Sequence, residues 1–285
     1  MPTEKQKRAI YKTQKINDFN DDKLYMQRFE KKVKKSNIAV QKARYDFSLQ
    51  QQKLLCYMIS FLLSDTDTED TEKILSIRDY LEFMGSKHKD YTDVRAAIKA
   101  ISDKSWYMTI NKDGDETPVR FIDGKPIISH KTATVKFKWD RDMLPHLQEL
   151  RREYTEYKLW YIITMKSEYT VRLYEYLKSV QNLTHWQTKI DYLKHLLECK
   201  KYSRFFDFKK RVLVPAITEI NERTDINVTF ECFKFGESGR SYTDIEFTIE
   251  PKSDISGVNR LIYDELYPDQ CEGQQTFDDI TGAQA

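Results

Sequence analysis

The chain has 285 residues, of which 40% are hydrophobic, 32% charged and 13% aromatic, with 8 Gly and 7 Pro. That is a globular composition, long enough for one large core or two smaller ones, and two domains are the expectation. A formal net charge of +2 says nothing by itself about nucleic acid, whereas widely spaced cysteines without a CxxC argue against a disulfide framework or a zinc site.

Residues 1–44 carry 13 Lys/Arg against 5 Asp/Glu and show no steady periodicity, so residues 1–36 read as a basic flexible arm. Its first residues, MPTEKQKRAIYK, hold no apolar signal core, and no apolar run approaches the roughly 18–20 residues of a membrane span. A soluble, cytoplasmic protein is expected, with no membrane partner. Ser48 and Gln51 then form an S-x-x-Q capping box, followed by Leu55, Ile59 and Leu62 at helical spacing. SIRDYLEFMG (76–85) reads as a strand or turn leading into a helix that Gly85 closes. YTDVRAAIKAISDKS follows, with Val94, Ile98 and Ile101 on one face and Thr92, Arg95 and Lys99 outward. Next come SWYMTINKDGDETPVRF, a strand with a Gly-containing turn, and TATVKFKWD, a half-buried strand alternating Val135, Phe137 and Trp139 with polar residues.

The second half repeats this order. SEYTVRLYEYLKSV is a helix with Ser167 as N-cap and Leu173, Leu177 and Val180 inward, and WQTKIDYLKHLLE is a short strand and a helix. YSRFFDFKKRVLVPAITEIN is a third helix, and INVTFECFKF and TDIEFTIEP are alternating strands linked by GESGRSY. Asp79-Tyr80-Leu81 recurs as Asp191-Tyr192-Leu193, and Tyr91-Thr92 as Tyr202-Ser203. Three helices and a two-stranded ribbon, occurring twice, define an α+β protein of two tandem winged-helix domains related by an internal duplication. The domains run over residues 37–145 and 146–254, and an acidic tail occupies 255–285. From Leu261 onward there are 6 acidic residues and no Lys or Arg.

The third helix of the second domain is the candidate reader. Phe205, Phe208, Val212, Ala216 and Ile220 share one face and point to a core. The opposite stripe is Ser203, Asp207, Lys210, Arg211, Val214 and Thr218, flanked by Arg204 and Lys209 and preceded by Lys200 and Lys201. Arginine and lysine pair with guanine O6/N7 or phosphate, and one carboxylate accepts from a cytosine amine while penalising wrong sequences. The competing reading is a solvated helix with Asp207 paired to Lys210 and Arg211 one turn on. Pro215 predicts a kink, or the end of the DNA-facing half. The ribbon tip places Arg240 where it reaches a phosphate or the minor groove, unless it is an ordinary hairpin turn. In the first domain Thr92, Arg95 and Lys99 face outward, but the ribbon tip, KDGDETP, is acidic, so weak DNA contact and dimerisation both stay open.

Five isolated histidines provide no H-x-H pair for a nickase metal, and there is no GxxxxGK[ST], H-E-x-x-H or G-x-S-x-G. No catalysis, metal or cofactor is called for. ARYDFSLQQQKLLCYMIS (43–60), KSEYTVRLYEYLKS (166–179) and above all YSRFFDFKKRVLVPAITEINERTDINVTFE (202–231) resemble the initiator replication proteins of theta-replicating, iteron-containing plasmids. That resemblance implies a bacterial protein that binds directly repeated origin sequences as a monomer and promotes origin opening. It also implies a dimer that represses the initiator's own gene, and host replication initiator and replicative helicase as partners. The second domain would be the main reader, and the first would supply backbone contacts and the dimer interface. Arg204, Asp207, Lys210 and Arg211 stand where the family places base and phosphate contacts; Val214 replaces an acidic residue common there. A winged-helix transcriptional regulator without a replication role is the alternative.

Overall fold

The computed structural model describes residues 26, 28–86, 91–109, 116–148, 153–234 and 242–267. The first repeat opens with β1 (Lys32–Ser36), α1 (Asn37–Gln41), β2 (Ala43–Arg44) and α2 (Leu49–Leu62). The capping box closes in both directions: Ser48 accepts from the Gln51 N–H while the Gln51 side chain accepts from the Ser48 N–H. β3 (Glu72–Ser76) leads into α3 (Ile77–Phe83), which ends at Gly85 with φ +65, the left-handed cap that glycine adopts without a Cβ clash. α4 (Tyr91–Asp103) buries Val94, Ile98 and Ile101 as its spacing predicts. β4 (Trp106–Thr109), β5 (Glu116–Val119), β6 (Ile122–Ser129) and β7 (Thr134–Trp139) complete the repeat, with Val135, Phe137 and Trp139 buried.

The second repeat consists of β8 (Tyr154–Lys158), α5 (Leu159–Ile163), α6 (Glu168–Ser179), β9 (His185–Lys189) and α7 (Ile190–Leu196). A long helix follows in three parts: α8 (Phe205–Phe208), a π turn (Lys209–Leu213) and α9 (Val214–Arg223). β10 (Ile226–Phe233), β11 (Asp244–Pro251) and α10 (Ser256–Leu266) close the described chain. Ser167 caps α6 as expected, but α6 is not amphipathic: Arg172 and Glu175 are buried beside Leu173 and Leu177.

The duplication holds at the level of elements, with a corrected register. Glu72 and His185 open equivalent strands, and Ile77 and Ile190 equivalent helices, each pair 113 residues apart. The repeated Asp-Tyr-Leu is therefore out of step by one residue. Tyr80 is buried at 3% exposure, whereas Tyr192 is 39% exposed; the buried counterpart of Tyr80 is Leu193. Tyr91 begins α4, whereas Tyr202 precedes its helix. Strand order β3-β7-β6 matches β9-β11-β10, so the first domain's wing is β6–β7. The acidic KDGDETP belongs instead to β4–β5, an extra hairpin paired with β2, and it is not the wing tip.

Two separate cores do not form. β1 pairs antiparallel with its own counterpart β8, from Lys32 opposite Lys158 to Ser36 opposite Tyr154, and one continuous buried apolar cluster runs through both repeats. The ends of the described chain join it. Within the expected arm, Arg28 donates to the carbonyls of Phe83 (2.5 Å) and Glu82 (2.6 Å), and Val33 is fully buried. Within the expected tail, α10 buries Val258, Ile262 and Tyr263. Tyr267 lies under the Arg28 guanidinium (5.1 Å), and Arg223 pairs with Glu265 at 2.6 Å. Two-residue alternation in β1 and apolar i, i+3 and i, i+4 positions in α10 gave these flanks a hidden face that their net charge disguised.

Candidate nucleic-acid interface

The turn between α7 and α8 is stapled before the candidate reading helix begins. Lys194 donates to the Ser203 carbonyl (2.7 Å) and lies over the Phe208 ring (5.6 Å). Phe208, Val212, Ala216 and Ile220 are buried as the periodicity predicts, and so is Leu213. Ile217 is buried as well, and between these two stands Pro215. Its ring clashes with the preceding turn of an α-helix, and a π turn occurs immediately before it, with the Val214 N–H donating to the Lys209 carbonyl. The helix therefore runs on through the proline, and the π turn presents both Val212 and Leu213 to the core.

Ser203, Arg204, Lys209, Lys210, Arg211, Val214 and Thr218 are exposed, and Asp207 is half-buried. No described residue forms an ion pair with Arg204, Asp207, Lys209, Lys210 or Arg211, so the one-turn pairing of Asp207 with Lys210 and Arg211 on which the competing reading relied is not formed. Lys209 leans toward the wing, with its ammonium 5.4 Å from the Phe230 ring centroid. Phe205 packs on Tyr242 (5.0 Å), and Lys234 covers the other end of that contact (5.1 Å to Tyr242). Lys200 is committed to Glu198 at 2.7 Å, while Lys201 is exposed. Arg240 lies outside the described residues.

In the first domain Thr92 and Lys99 are exposed on α4. Arg95 is half-buried over the Tyr91 ring (5.9 Å), so it extends less freely than the wheel implies. The corrected wing alters the charge of this domain's outer edge. Its tip carries exposed His130 and Lys131, Lys125 is exposed on β6, and Ala133 takes a positive φ of 53 in the turn. Alternation in ETPV and in TVKFKW looks alike in the sequence; only pairing to β3 distinguishes the wing.

Reasoning from charge also passed over Phe206. It is 64% exposed, one residue before Asp207 and one turn before Lys210, and Val214 is 42% exposed on the same helix. The signal was present in the sequence: Phe206 falls off the apolar face that Phe205 and Phe208 define. Among the described residues no group of His, Cys, Asp and Glu could hold a metal ion, and no helix is long and apolar enough to cross a membrane.

A family model described as "Initiator Replication protein, WH1" matches residues 32–178, and a second, "Initiator Rep protein, WH2", matches 189–249. The chain belongs to the initiator replication protein family. Its two winged-helix domains are those of a plasmid replication initiator. An uncharacterized 27.6 kDa protein from Escherichia coli is 24% identical over 213 residues, covering 68% of this initiator and 87% of that relative. Among solved structures, a Pi initiator protein in complex with iteron DNA matches with a TM-score of 0.63 at 18% identity. The match covers 79% of this chain and 99% of that one, and it carries the fold.

Proposed function

We propose that this initiator binds directly repeated duplex sites of a plasmid origin as a monomer, with both winged helices on one repeat, and thereby promotes opening of adjacent DNA. The observation that carries the reading is the exposed run Arg204, Lys209, Lys210 and Arg211, unpaired among the described residues, on a helix whose other face is fully packed. Cations without an ion-pair partner among the described residues, held on a rigid element beside a wing, are suited to phosphates and guanine edges. Asp207, also free of ion pairs among the described residues, is suited to a cytosine amine. Counterion release supplies most of the affinity, and the Ser203–Val214 stretch most of the discrimination. Arg240, which the sequence places between β10 and β11, and Thr92, Arg95 and Lys99 with the β6–β7 wing in the first domain, add backbone contacts. A self-repressing dimer and contacts to a host initiator and replicative helicase complete the reading on family membership alone. The protein makes and breaks no covalent bond in this scheme.

Selection from random duplexes with the purified protein, followed by salt titration of the winner against its scrambled version, tests this. The expected result is a site of about two helical turns, clearly preferred, with a steep salt slope on both duplexes. No enriched sequence, or binding insensitive to salt, would refute it.

A further inference from the structure

The residue that ends α7 is conformationally out of character. Glu198 has φ 50, and its counterpart 113 residues earlier is Gly85 with φ 65. The first repeat thus fills the left-handed cap with glycine, the residue that tolerates it, and the second places a glutamate there at a cost in strain. A strained residue persists where the surroundings hold it for a purpose. Here the carboxylate, 8% exposed, accepts from Arg44 Nη1 at 2.8 Å and from Lys200 Nζ at 2.7 Å. The second arm of the Arg44 fork reaches Glu116 at 2.6 Å, on the extra β4–β5 hairpin, and His195 of α7 stands 3.8 Å from the same glutamate.

Arg44 is itself held by the second repeat. The Arg172 guanidinium of α6 donates to the Ala43 carbonyl at 2.8 Å, Gln41 donates to Ser179 at 3.1 Å, and Tyr192 of α7 donates to the Gln41 carbonyl. Residues 41–44 of the first domain thereby touch α6, α7 and the turn that launches the reading helix. We infer that Arg44 and Glu198 form an interdomain clamp that, added to the shared core and the β1–β8 pairing, fixes the rotation of the reading helix against the first domain, making them determinants of spacing within one repeat. The clamp touches no DNA; it acts through the reading helix. It also accounts for the extra hairpin, which supplies Glu116 to orient the guanidinium.

This inference rests on the two-domain DNA reading proposed above, and the test separates the two. The selected site is remade with one base pair inserted or removed between its two protected segments, a rotation of roughly 35° per step. Binding is measured for the full chain, Glu198→Gly and Arg44→Gln. The parent protein is expected to lose at least tenfold on either shifted site. Both variants are expected to lose less than threefold on it, while binding a duplex with only the second domain's segment as the parent does. Glu198→Gly relieves the strained cap but gives up the pairs to Arg44 and Lys200, so cooperative thermal unfolding together with parental binding to the second-domain duplex is what removes misfolding as an explanation. Spacing discrimination in Glu198→Gly as sharp as in the parent overturns the clamp and leaves the DNA reading intact. A parent protein indifferent to spacing overturns the two-domain reading, and the clamp falls with it.

Discussion

At the scale of single residues, the free cations and Phe206 carry the specificity argument. A bidentate base contact is worth about 1–3 kcal/mol of discrimination. Lys210→Ala is therefore expected to weaken binding to the selected site by that amount and to spare random duplex. Asp207→Ala should relax preference among sites more than it lowers affinity; competition against single-base variants of the site measures both. Equal losses on specific and random duplex would make Lys210 a phosphate contact. Phe206 makes a different prediction. A large apolar side chain that is 64% exposed amid cations matches the 5-methyl group of thymine, the apolar feature of the major groove. Replacing thymine with deoxyuracil one position at a time should locate a base pair where the parent loses several-fold in affinity and Phe206→Ala loses nothing further. Uniform tolerance of uracil by the parent would discard this contact.

The long helix at Phe205–Arg223 shows what an element decides beyond its residues. A 3.6-residue wheel placed Phe208, Val212, Ala216 and Ile220 inward correctly, because local periodicity determines a packed face. It left out Leu213, buried in the π turn, and Ile217, buried in regular α9, because the packed face is wider than a single stripe. Pro215 and the packing of Val212 and Leu213 both favour that turn. Since Val212 and Leu213 are both fully packed where they stand, packing is the stronger constraint. Pro215→Ala is thus expected to shift stability by less than about 1 kcal/mol and to leave site preference unchanged, read by urea unfolding and by competition binding. A changed preference would mean that the proline sets the rotation of the basic half. Similar local logic made the Ser48 capping box, the Gly85 cap and the buried stripe of β7 legible. The choice of wing was not legible, because two alternating ribbons stand side by side and only one pairs with β3.

Across the whole molecule, a buried ionic group binds the two repeats together. Lys35 of β1 lies 2.6 Å from Glu175 of α6, and both are essentially inaccessible. Arg172 reaches the other carboxylate oxygen at 3.3 Å, Tyr45 donates to it at 3.4 Å, and Tyr157 donates to the first. Burial pushes the Glu175 carboxyl up, but Lys35 and Arg172 prevail and hold it below its ordinary value. Burial likewise opposes the charge on Lys35, yet Glu175 raises it above the ordinary lysine range. A depressed carboxyl contributes stability that is complete above its unfolded value and is lost as pH falls through its folded value. The contribution therefore survives down to the ordinary carboxylate range and disappears below it. A raised lysine is the reverse case, its share lost only above its ordinary range, so neutral pH keeps both. Glu175→Gln leaves two buried cations without a counter-charge, and a loss of about 3–5 kcal/mol is expected. Urea unfolding from pH 7 to pH 3 should show the parent's advantage over the variant shrinking once pH drops below the ordinary carboxylate range. A parallel offset at every pH would remove the ionic account.

Local sequence signals were enough to establish the three main helices of each repeat, the Ser48, Gly85 and Ser167 caps, the duplicated plan, the core-facing sides of the helices and the basic stripe at Ser203–Arg211. Each depends on residues within one or two turns of one another, where periodicity and capping chemistry act directly. The pairing of β1 with β8, the single shared core, the identity of the first wing and the Lys35–Glu175 and Arg44–Glu198 pairs were settled by tertiary structure alone. Each joins residues that are distant along the chain or chooses between strands of equal pattern. Hydrophobic alternation shows that a strand is half-buried and that a lysine interrupts it, but it does not name the partner that makes either one affordable.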